Sequence, residues 1–154
     1  MEKIRAAVVG YGNIGKYALQ ALEAADDFEI AGIVRRSISN TDTIIRTVSG
    51  NPIKVVTDIR ELGKVDVAIL ATPTRACLDY AKQILPLGIN TVDSFDIHGK
   101  DILDLYKNLD AAGKKSGAKA IISAGWDPGS DSIVRTLMES LAPKGISYTN
   151  FGPG

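Results

Sequence analysis

The sequence predicts an α/β fold with a doubly wound parallel sheet. Short apolar runs, typical of buried parallel strands, alternate along the chain with amphipathic helix-forming segments. Near the start, apolar residues 6–9 lead directly into a G-x-G-x-x-G motif over residues 10–15, and a helix-forming segment follows at once. Strands joined by such helices run parallel with right-handed crossovers. The pattern therefore predicts a sheet covered by helices on both faces.

The glycine motif suits the approach of a pyrophosphate to the main chain. Gly10 permits a tight turn, Gly12 leaves no Cβ between the main chain and the phosphates, and Gly15 lets the helix pack close to the strand. The helix N terminus adds free N–H groups and the positive end of the helix dipole. We therefore predict a Rossmann dinucleotide-binding site formed by Gly10, Gly12, Asn13, Ile14 and Gly15.

The first third of the chain predicts two strands, one helix and a long loop. Residues 4–9 are short and continuously apolar, as in a buried parallel strand, and residues 28–34 form a second such run. Residues 13–25 repeat apolar side chains at helical spacing, whereas residues 35–52 are polar and indicate a surface loop with little regular structure. The predicted buried face of the helix consists of Ile14, Ala18, Ala21, Leu22 and Ala25.

The rest of the chain continues this alternation. Short apolar runs predict strands, and the segments between them predict helices that end near glycine or proline. Residues 57–61 fit the start of a short helix capped by Thr57 or Asp58. The further predicted strands are residues 53–56, 65–71, 90–93 and 119–123, with one more beginning in 145–151. The further predicted helices are residues 74–87, 100–115 and 130–141.

Bulk composition limits the classes of function. The chain has 154 residues, of which 45% are hydrophobic, and its 18 basic side chains balance 18 acidic ones. This balance does not favour binding to nucleic acid or to a membrane surface. The single cysteine, Cys77, excludes an intramolecular disulfide, and the apolar run at the N terminus is too short for a signal peptide. We therefore expect a cytoplasmic protein with a small-molecule substrate and no metal.

The last residues predict a domain boundary. Residues 1–145 hold the complete alternation of strands and helices, which is enough for one dinucleotide-binding domain. Residues 146–154 look like a strand that is only beginning, followed by the turn Gly-Pro-Gly. We interpret them as the start of a further domain that this chain does not contain, and the alternative is a natural short protein with a frayed tail.

Cofactor selectivity is predicted from the end of the second strand. An NAD-preferring domain usually carries a carboxylate about twenty residues beyond the glycines. Arg35 and Arg36 stand at this strand end instead, and no carboxylate does. Two guanidinium groups suit the 2′-phosphate of NADP(H), and each charge-assisted contact contributes about 1.5–3 kcal/mol. We predict NADP(H) as the cofactor, and the alternative is an ordinary solvated arginine pair.

Another loop near the cofactor follows the predicted strand at residues 65–71. Ligands of doubly wound sheets bind beyond the carboxyl ends of the strands, so Thr72, Pro73 and Thr74 should lie near the cofactor. Pro73 would stiffen the loop, and Thr72 or Thr74 could offer a hydroxyl to a ribose. Thr74 could also cap the following helix, and both roles can hold together.

Two further strand ends carry acidic and aromatic side chains. Asp93 and Asp96 follow one predicted strand, and Trp126 and Asp127 follow the next. We expect them to meet at the edge of the sheet that carries the glycine turn, where carboxylates would attract and hold an ammonium group of a substrate. The open alternatives are Asp127 as a turn residue, Asp93 as a turn cap, Trp126 as core packing and His98 as a structural residue.

Five segments taken together are more specific than the glycine motif alone. They are VGYGNIG (9–15), VRRS (34–37), TVDSFDIH (91–98), SAGWDPG (123–129) and NFGPG (150–154). The W-D-P-G and F-G-P-G elements carry most of this specificity. Together the five segments resemble meso-diaminopimelate dehydrogenase, and the likeness runs over essentially the whole chain.

The resemblance implies an activity and an assembly. Members of that family catalyse the NADP-dependent, reversible oxidative deamination of meso-2,6-diaminopimelate at its D-configured centre, which gives L-2-amino-6-oxopimelate and ammonia. They are homodimers, serve lysine and peptidoglycan-precursor metabolism in bacteria, and are considerably longer than this chain. The sequence at Thr72, Pro73 and Thr74 differs from the small-residue loop of some members and resembles the subgroup with broader D-amino-acid activity.

The resemblance also assigns roles to residues. The glycine turn matches the family's pyrophosphate site, and the two arginines match its 2′-phosphate clamp. Asp96 and Asp127 match the carboxylates that hold the D-centre amino group, so they are the implied catalytic residues. Trp126 and Phe151 match aromatic walls of the substrate pocket, to which the residue pattern adds Asp93.

Two other interpretations remain at this point. Another NADP-dependent enzyme of amino-acid biosynthesis, such as a dihydrodipicolinate reductase or a homoserine or semialdehyde dehydrogenase, would share the front half but needs different substrate loops. A non-catalytic nucleotide-sensing module would keep the glycine turn without any need for paired aspartate loops or Trp126.

Overall fold

The computed structural model describes residues 2–39, 43–94, 99–127 and 129–145. The predicted α/β fold is confirmed, since the described residues form one seven-stranded sheet with the order β3-β4-β2-β1-β5-β6-β7. The strands are β1 (Ile4–Val9), β2 (Phe28–Val34), β3 (Ile44–Arg46), β4 (Pro52–Val56), β5 (Val67–Leu70), β6 (Asn90–Asp93) and β7 (Ala120–Ile121). The helices are α1 (Asn13–Ala24), α2 (Thr74–Ile84), α3 (Lys100–Lys114) and α4 (Ser130–Leu141), with 3-10 turns at Ile59–Leu62 and Leu85–Leu87.

The central strand β1 sets the position of the site. It pairs in parallel with β2 on one side and with β5 on the other. From these neighbours the sheet continues in parallel to β4 on one side and to β6 and β7 on the other. The chain thus changes direction beside β1, and doubly wound sheets bind their ligands at such a switch point, outside the carboxyl ends of the strands.

Both faces of β1 are buried, as its continuous apolar sequence predicts. Ala6 and Val8 pack in the core that contains the apolar side chains of α1. Ala7 and Val9 pack in the core that contains those of α2 and α3. Because each of these four residues is at most 1% exposed, the strand that carries the glycine turn is held firmly between two helical layers.

The buried face of α1 differs from the predicted one. Gly15, Leu19 and Leu22 are buried, whereas Ile14 is 60% exposed and Ala21 faces solvent. The prediction was right for Leu22 and wrong for Ile14 and Ala21, because Gly15 has to lie against the turn: a Cβ on Gly15 would stand only 2.2 Å from a carbonyl oxygen of the glycine motif. With Gly15 turned inward, Ile14 and Ala21 belong to the opposite side of the helix.

The loop predicted over residues 35–52 contains a strand. β3 pairs antiparallel with β4, with Ile44 opposite Lys54, which departs from the all-parallel sheet expected from the sequence. The Gly50 N–H donates to the Thr47 carbonyl at 3.0 Å and closes the connecting turn. The strand was missed because three residues are too few to show the alternation of a half-buried strand.

The short helix predicted over residues 57–61 is a 3-10 turn, and Asp58 rather than Thr57 caps it. The Asp58 carboxylate accepts a hydrogen bond from the Arg60 main-chain N–H at 2.9 Å. The Glu61 carboxylate in turn accepts from the Asp58 main-chain N–H at 3.1 Å. This reciprocal capping box fixes the start of the 3-10 turn just after the end of β4.

The last part of the chain follows the prediction with shorter bounds. β7 has two residues rather than the five expected, and Ser123, just beyond it, has a φ of +57° that no strand residue adopts. α4 has the predicted bounds. Residues 146–154, predicted to begin another domain, lie outside the described residues. In the described part of the chain, no helix has the length and apolar character needed to cross a membrane.

The corrected face of α1 predicts opposite results for two substitutions in one helix. Leu19→Ala should lower the free energy of unfolding by about 2–5 kcal/mol, because Leu19 is 3% exposed and its loss leaves a cavity. Ile14→Ala, the matched control at an exposed position, should change it by less than about 0.5 kcal/mol. Chemical denaturation of the two variants measures both values, and similar losses would contradict the assigned face.

Candidate functional site

A cleft of about 750 Å³ opens at the carboxyl ends of the central strands. Its walls come from the glycine turn, the end of β2, the loop after β5 and one side of α2. The residues that line it include Gly10, Gly12, Arg35, Arg36, Thr72 and Pro73. The structure therefore brings together the glycines, the arginine pair and the loop that the sequence predicts to bind the cofactor.

Close main-chain contacts shape the glycine turn. Gly10 has a φ of +94°, and a Cβ on it would lie 2.4 Å from the Ala71 carbonyl oxygen. A Cβ on Gly15 would lie 2.2 Å from the Gly10 carbonyl oxygen, whereas a Cβ on Gly12 would meet nothing within 4 Å. The packing of the protein thus requires glycine at positions 10 and 15 but not at 12. Because Gly12 lines the cleft, a ligand that approaches the main chain there accounts for the third glycine.

The N terminus of α1 offers main-chain donors beside this turn. Gly12 is the N-cap residue, and among the described residues no side chain caps the helix. The first turn contains no acidic side chain and begins with Asn13 and Ile14, both of them exposed. The N–H groups of this turn and the helix dipole can therefore act on a bound anion.

The arginine pair lines the same cleft at the end of β2, the strand next to β1. The Arg35 main-chain N–H donates to the Val56 carbonyl at 2.9 Å, which fixes the backbone just before Arg36. Arg35 is half-buried, whereas Arg36 is exposed, and both line the cleft. A phosphate between them would meet guanidinium donors from two neighbouring residues.

Sequence reasoning missed the wall that α2 contributes. Ala76, Asp79, Tyr80 and Gln83 line the cleft from this helix. Their spacing of three, four and seven residues puts them on one helical face, and the buried residues Cys77, Ala81 and Ile84 occupy another. That periodicity was the signal that could have found them. The wall adds an aromatic ring, an amide and one carboxylate to the cleft.

The loop after β5 is tied to this helix through its threonine. The Thr72 hydroxyl oxygen lies 3.4 Å from the Cys77 sulfur, and Thr72 also lines the cleft. Burial raises the pKa of the Cys77 thiol, so the thiol is neutral at physiological pH. Pro73 occupies the N-cap position of α2, and Thr74 is the first helical residue and does not cap it.

A second group of predicted residues lies at the ends of β6 and β7. The Ala124 main-chain N–H donates to the Asp93 carbonyl at 2.8 Å, so the two strand ends are joined. The Asp93 side chain is only 4% exposed. Burial agrees with the turn-cap alternative for Asp93, and its predicted contact with a substrate stays a prediction.

The loop that follows β7 presents Trp126 and Asp127 to solvent. Trp126 is 43% exposed, so it is not a core residue. The Asp127 carboxylate, 52% exposed, accepts a hydrogen bond at 3.0 Å from the Arg135 guanidinium of α4. Gly129 has a φ of +141°, and a Cβ on it would stand 1.9 Å from the Gly125 carbonyl oxygen, so the loop requires glycine there.

The structure gives only part of the predicted catalytic group. Asp93, Trp126 and Asp127 belong to one loop cluster, and none of them lines the 750 Å³ cleft. Asp96 and Phe151, together with His98, lie outside the described residues. The roles of these residues in catalysis and substrate binding therefore stay predictions.

Comparison with protein families assigns the chain. Residues 4–92, more than half of the chain, match the model of the oxidoreductase family with an NAD-binding Rossmann fold (GFO/IDH/MocA). The chain belongs to this family. The match covers the glycine turn, the arginine pair and the loop after β5, which together form the cleft.

Within this family, the chain is most clearly similar to dehydrogenases of amino acids. The chain is 63% identical over all 154 residues to the meso-diaminopimelate D-dehydrogenase of Bacteroides fragilis. A solved mutant of meso-diaminopimelate dehydrogenase from Clostridium tetani is 39% identical, with a TM-score of 0.73 over 95% of this chain and 44% of that one. An engineered D-amino acid dehydrogenase bound to NADP+ is 28% identical, with a TM-score of 0.70 over 90% and 41% of the two chains. The predicted resemblance is thereby confirmed.

These relatives are longer than this member of the oxidoreductase family. The chain spans 50% of the Bacteroides fragilis protein, to whose N-terminal half it corresponds. The nucleotide cleft of the family therefore lies within the described residues, and about half of each relative has no counterpart in this chain.

The glycine turn predicts different outcomes at two of its positions. Gly15→Ala should lower the free energy of unfolding by about 1–3 kcal/mol or more, because its Cβ would overlap a main-chain oxygen. Gly12→Ala should leave stability almost unchanged, because its Cβ meets open space, but should weaken nucleotide binding about tenfold or more by keeping the phosphates from the main chain.

Thermal unfolding and nucleotide titration of both variants measure these effects. Gly12→Ala serves as the control for Gly15→Ala, since the two substitutions add the same methyl group to the same turn. Undiminished nucleotide affinity in Gly12→Ala would mean that no phosphate approaches the main chain at this position.

Proposed function

We propose that this chain is the cofactor-binding part of an NADP-dependent dehydrogenase that oxidatively deaminates meso-2,6-diaminopimelate at its D-configured centre. The products are L-2-amino-6-oxopimelate and ammonia, and the reaction is reversible. The observation that carries the proposal is the 63% identity with a meso-diaminopimelate D-dehydrogenase over the whole chain. Two features support the proposal: the W-D-P-G sequence contains a carboxylate suited to an amine, and the cleft is lined by arginines suited to a phosphate.

The described residues fit NADP(H) as the cofactor. The cleft has room for a nucleotide, a helix N terminus without a side-chain cap stands beside Gly12, and two guanidinium groups lie at the end of β2. The main chain at Gly12 would receive the pyrophosphate, and Arg35 and Arg36 would receive the 2′-phosphate. The α2 wall, with Tyr80 and Gln83, closes the cleft beside this phosphate site.

The chemistry can be divided between the cofactor and the protein. A bound NADP+ would supply the hydride acceptor for the carbon that bears the amino group, and the substrate imine left behind would take up water and lose ammonia. Asp127, with Asp96 as its predicted partner, would hold the neutral amine and take up its proton directly or through water. Trp126, which is 43% exposed, would provide an apolar wall for the substrate.

The finer points of the proposal follow from the family resemblance. We propose a homodimer that works in the cytoplasm, with residues 1–145 as the dinucleotide-binding domain and residues 146–154 as the start of a substrate and dimerisation domain. The 31% identity with an L-aspartate dehydrogenase of Archaeoglobus fulgidus, over 82% of this chain, makes a second amino-acid substrate a specific alternative. Activity on L-aspartate rather than on meso-diaminopimelate would favour that alternative.

The arginine pair predicts how the protein distinguishes the two nicotinamide cofactors. Replacing Arg35 and Arg36 together by alanine should weaken NADPH binding about 100-fold or more, because two charge-assisted contacts to the 2′-phosphate are lost. NADH, which lacks this phosphate, should lose less than about threefold. Calorimetric titration with each cofactor measures the difference.

Arg46→Ala is the matched control, because Arg46 is an exposed arginine on β3 that does not line the cleft. It should leave both affinities unchanged. If the double variant lost equal affinity for NADPH and NADH, the proposed binding of the 2′-phosphate by Arg35 and Arg36 would be contradicted.

The proposed activity is tested on the complete polypeptide that carries this chain. It should reduce NADP+ with meso-diaminopimelate, which we expect to exceed D-alanine and L-aspartate as a substrate. Asp127→Ala should lower kcat about 100-fold or more, since the group that holds the amine and takes its proton is lost, while the Kd for NADPH stays within about twofold.

Steady-state kinetics and nucleotide titration of the same preparations give both quantities. A wild-type polypeptide that binds NADPH but oxidises none of the three amino acids would favour the nucleotide-sensing alternative. An Asp127→Ala variant that loses NADPH binding in proportion to its turnover would contradict the role assigned to Asp127.

A further inference from the structure

Arg135 connects an exposed carboxylate to a buried one. It lies on α4, eight residues after Asp127 and four after Asp131. Its Nη2 atom donates to Oδ2 of Asp127 at 3.0 Å and lies 2.5 Å from Oδ2 of Asp131. The side chains of Asp127 and Arg135 are 52% and 46% exposed, whereas that of Asp131 is 1% exposed. The buried carboxylate of Asp131 thus holds the Arg135 guanidinium, which in turn contacts the exposed carboxylate of Asp127.

Arg135 balances the buried charge of Asp131, but stability does not account for its contact with Asp127. An ion pair whose two side chains are each about half exposed is screened by water and adds little to folding. The backbone already fixes the loop without it, because the Asp131 N–H donates to the Trp126 carbonyl at 2.7 Å and the Ser130 N–H donates to the Gly125 carbonyl at 3.1 Å. What the backbone leaves undetermined is the direction of the Asp127 carboxylate, which has two rotatable bonds.

The pairing leaves the loop able to receive a cation. Arg135 contacts Oδ2 of Asp127, and no described residue is bonded to Oδ1. Two carboxylates and one guanidinium carry one net negative charge, so the cluster still attracts an ammonium group. A carboxylate held by one oxygen presents the other in a fixed direction.

We infer that Arg135 is a positioning residue for the amine-binding carboxylate of Asp127, and that the buried Asp131 holds Arg135 in place. This inference rests on the proposed function, in which Asp127 binds the substrate amine. Arg135 does not touch the substrate and acts only through Asp127. Misplacement of a reacting group by about 1 Å can cost about 100-fold in rate, so a loosened Asp127 should matter far more to turnover than to stability.

A double-mutant cycle on the complete polypeptide tests this coupling. The proteins are the wild type, Arg135→Gln, Asp127→Asn and the variant with both substitutions, each assayed for kcat and KM with meso-diaminopimelate and for the Kd of NADPH. Arg135→Gln alone should lower kcat/KM about 10- to 100-fold. In the Asp127→Asn background the same substitution should cost less than about threefold, because the group on which it acts is already lost.

Matched variants separate positioning from a general effect on folding. Arg135→Lys keeps a positive charge within reach of both carboxylates and should restore part of the lost activity. Lys114→Gln removes an exposed ion pair, to Asp110 on α3, which matches the exposed contact of Arg135 with Asp127, and should leave kcat/KM unchanged. The Kd of NADPH should stay within about twofold in all of these variants, since none of the substituted residues lines the nucleotide cleft.

The outcomes distinguish this inference from the proposed function. Arg135→Gln could lower kcat/KM by the same factor in the wild-type and in the Asp127→Asn background. In that case Arg135 acts through the fold and the inference is overturned, although the proposed function stands. The inference is also overturned if Arg135→Gln has wild-type kinetics. A wild-type polypeptide that does not oxidise meso-diaminopimelate overturns the proposed function, and the inference falls with it. If Arg135→Gln does not fold, the same cycle with Arg135→Lys replaces it.

Discussion

Two close main-chain contacts hold the glycine turn, and the rest of the site depends on them. At Gly10 and Gly15 the backbone lies so near a carbonyl oxygen that a Cβ would stand 2.4 and 2.2 Å away. The first contact fixes the end of β1 to the loop after β5, and the second fixes α1 to the turn. Because β1 is buried on both faces, the strand cannot shift to make room for a side chain. The N terminus of α1 is therefore held at the switch point of the sheet, where its main-chain donors adjoin the cleft.

Attraction of a phosphorylated ligand has to arise from the placement of charges, because the chain has no net charge to supply it. The partial charge of the α1 N terminus and the guanidinium groups of Arg35 and Arg36 border one cleft from two sides. Asp79 is the carboxylate in the same lining, on α2. A dinucleotide with separate phosphate groups is matched by two separate positive regions, and the residues that create them come from elements adjacent to β1.

The sequence predicted the features that depend on local pattern. Continuous apolar runs located β1 and β5, and helical spacing located the four helices. The predicted buried face of α1 was partly wrong because both sides of this helix carry apolar residues, and only the contact of Gly15 with the turn decides between them. β3 was missed because its three residues are too few to show an alternating pattern, and its pairing with β4 depends on the turn between them. The α2 wall and the Arg135–Asp127 pair were missed because they depend on how separate segments meet.

The W-D-P-G loop shows that backbone and side-chain geometry are controlled separately. At Gly129, as in the glycine turn, the main chain lies too close to a carbonyl oxygen for any Cβ, so the path of the loop is set by sterics. That device suits a pyrophosphate, which main-chain donors bind directly. In the proposed function an amine is held by a carboxylate instead, and the carboxylate of Asp127 is half-exposed on a loop. Its direction has to be set by another side chain, and the buried carboxylate of Asp131 makes the Arg135 guanidinium suitable for this purpose. The proposed site for both groups would thus combine steric constraint at one strand end with an anchored ion pair at another.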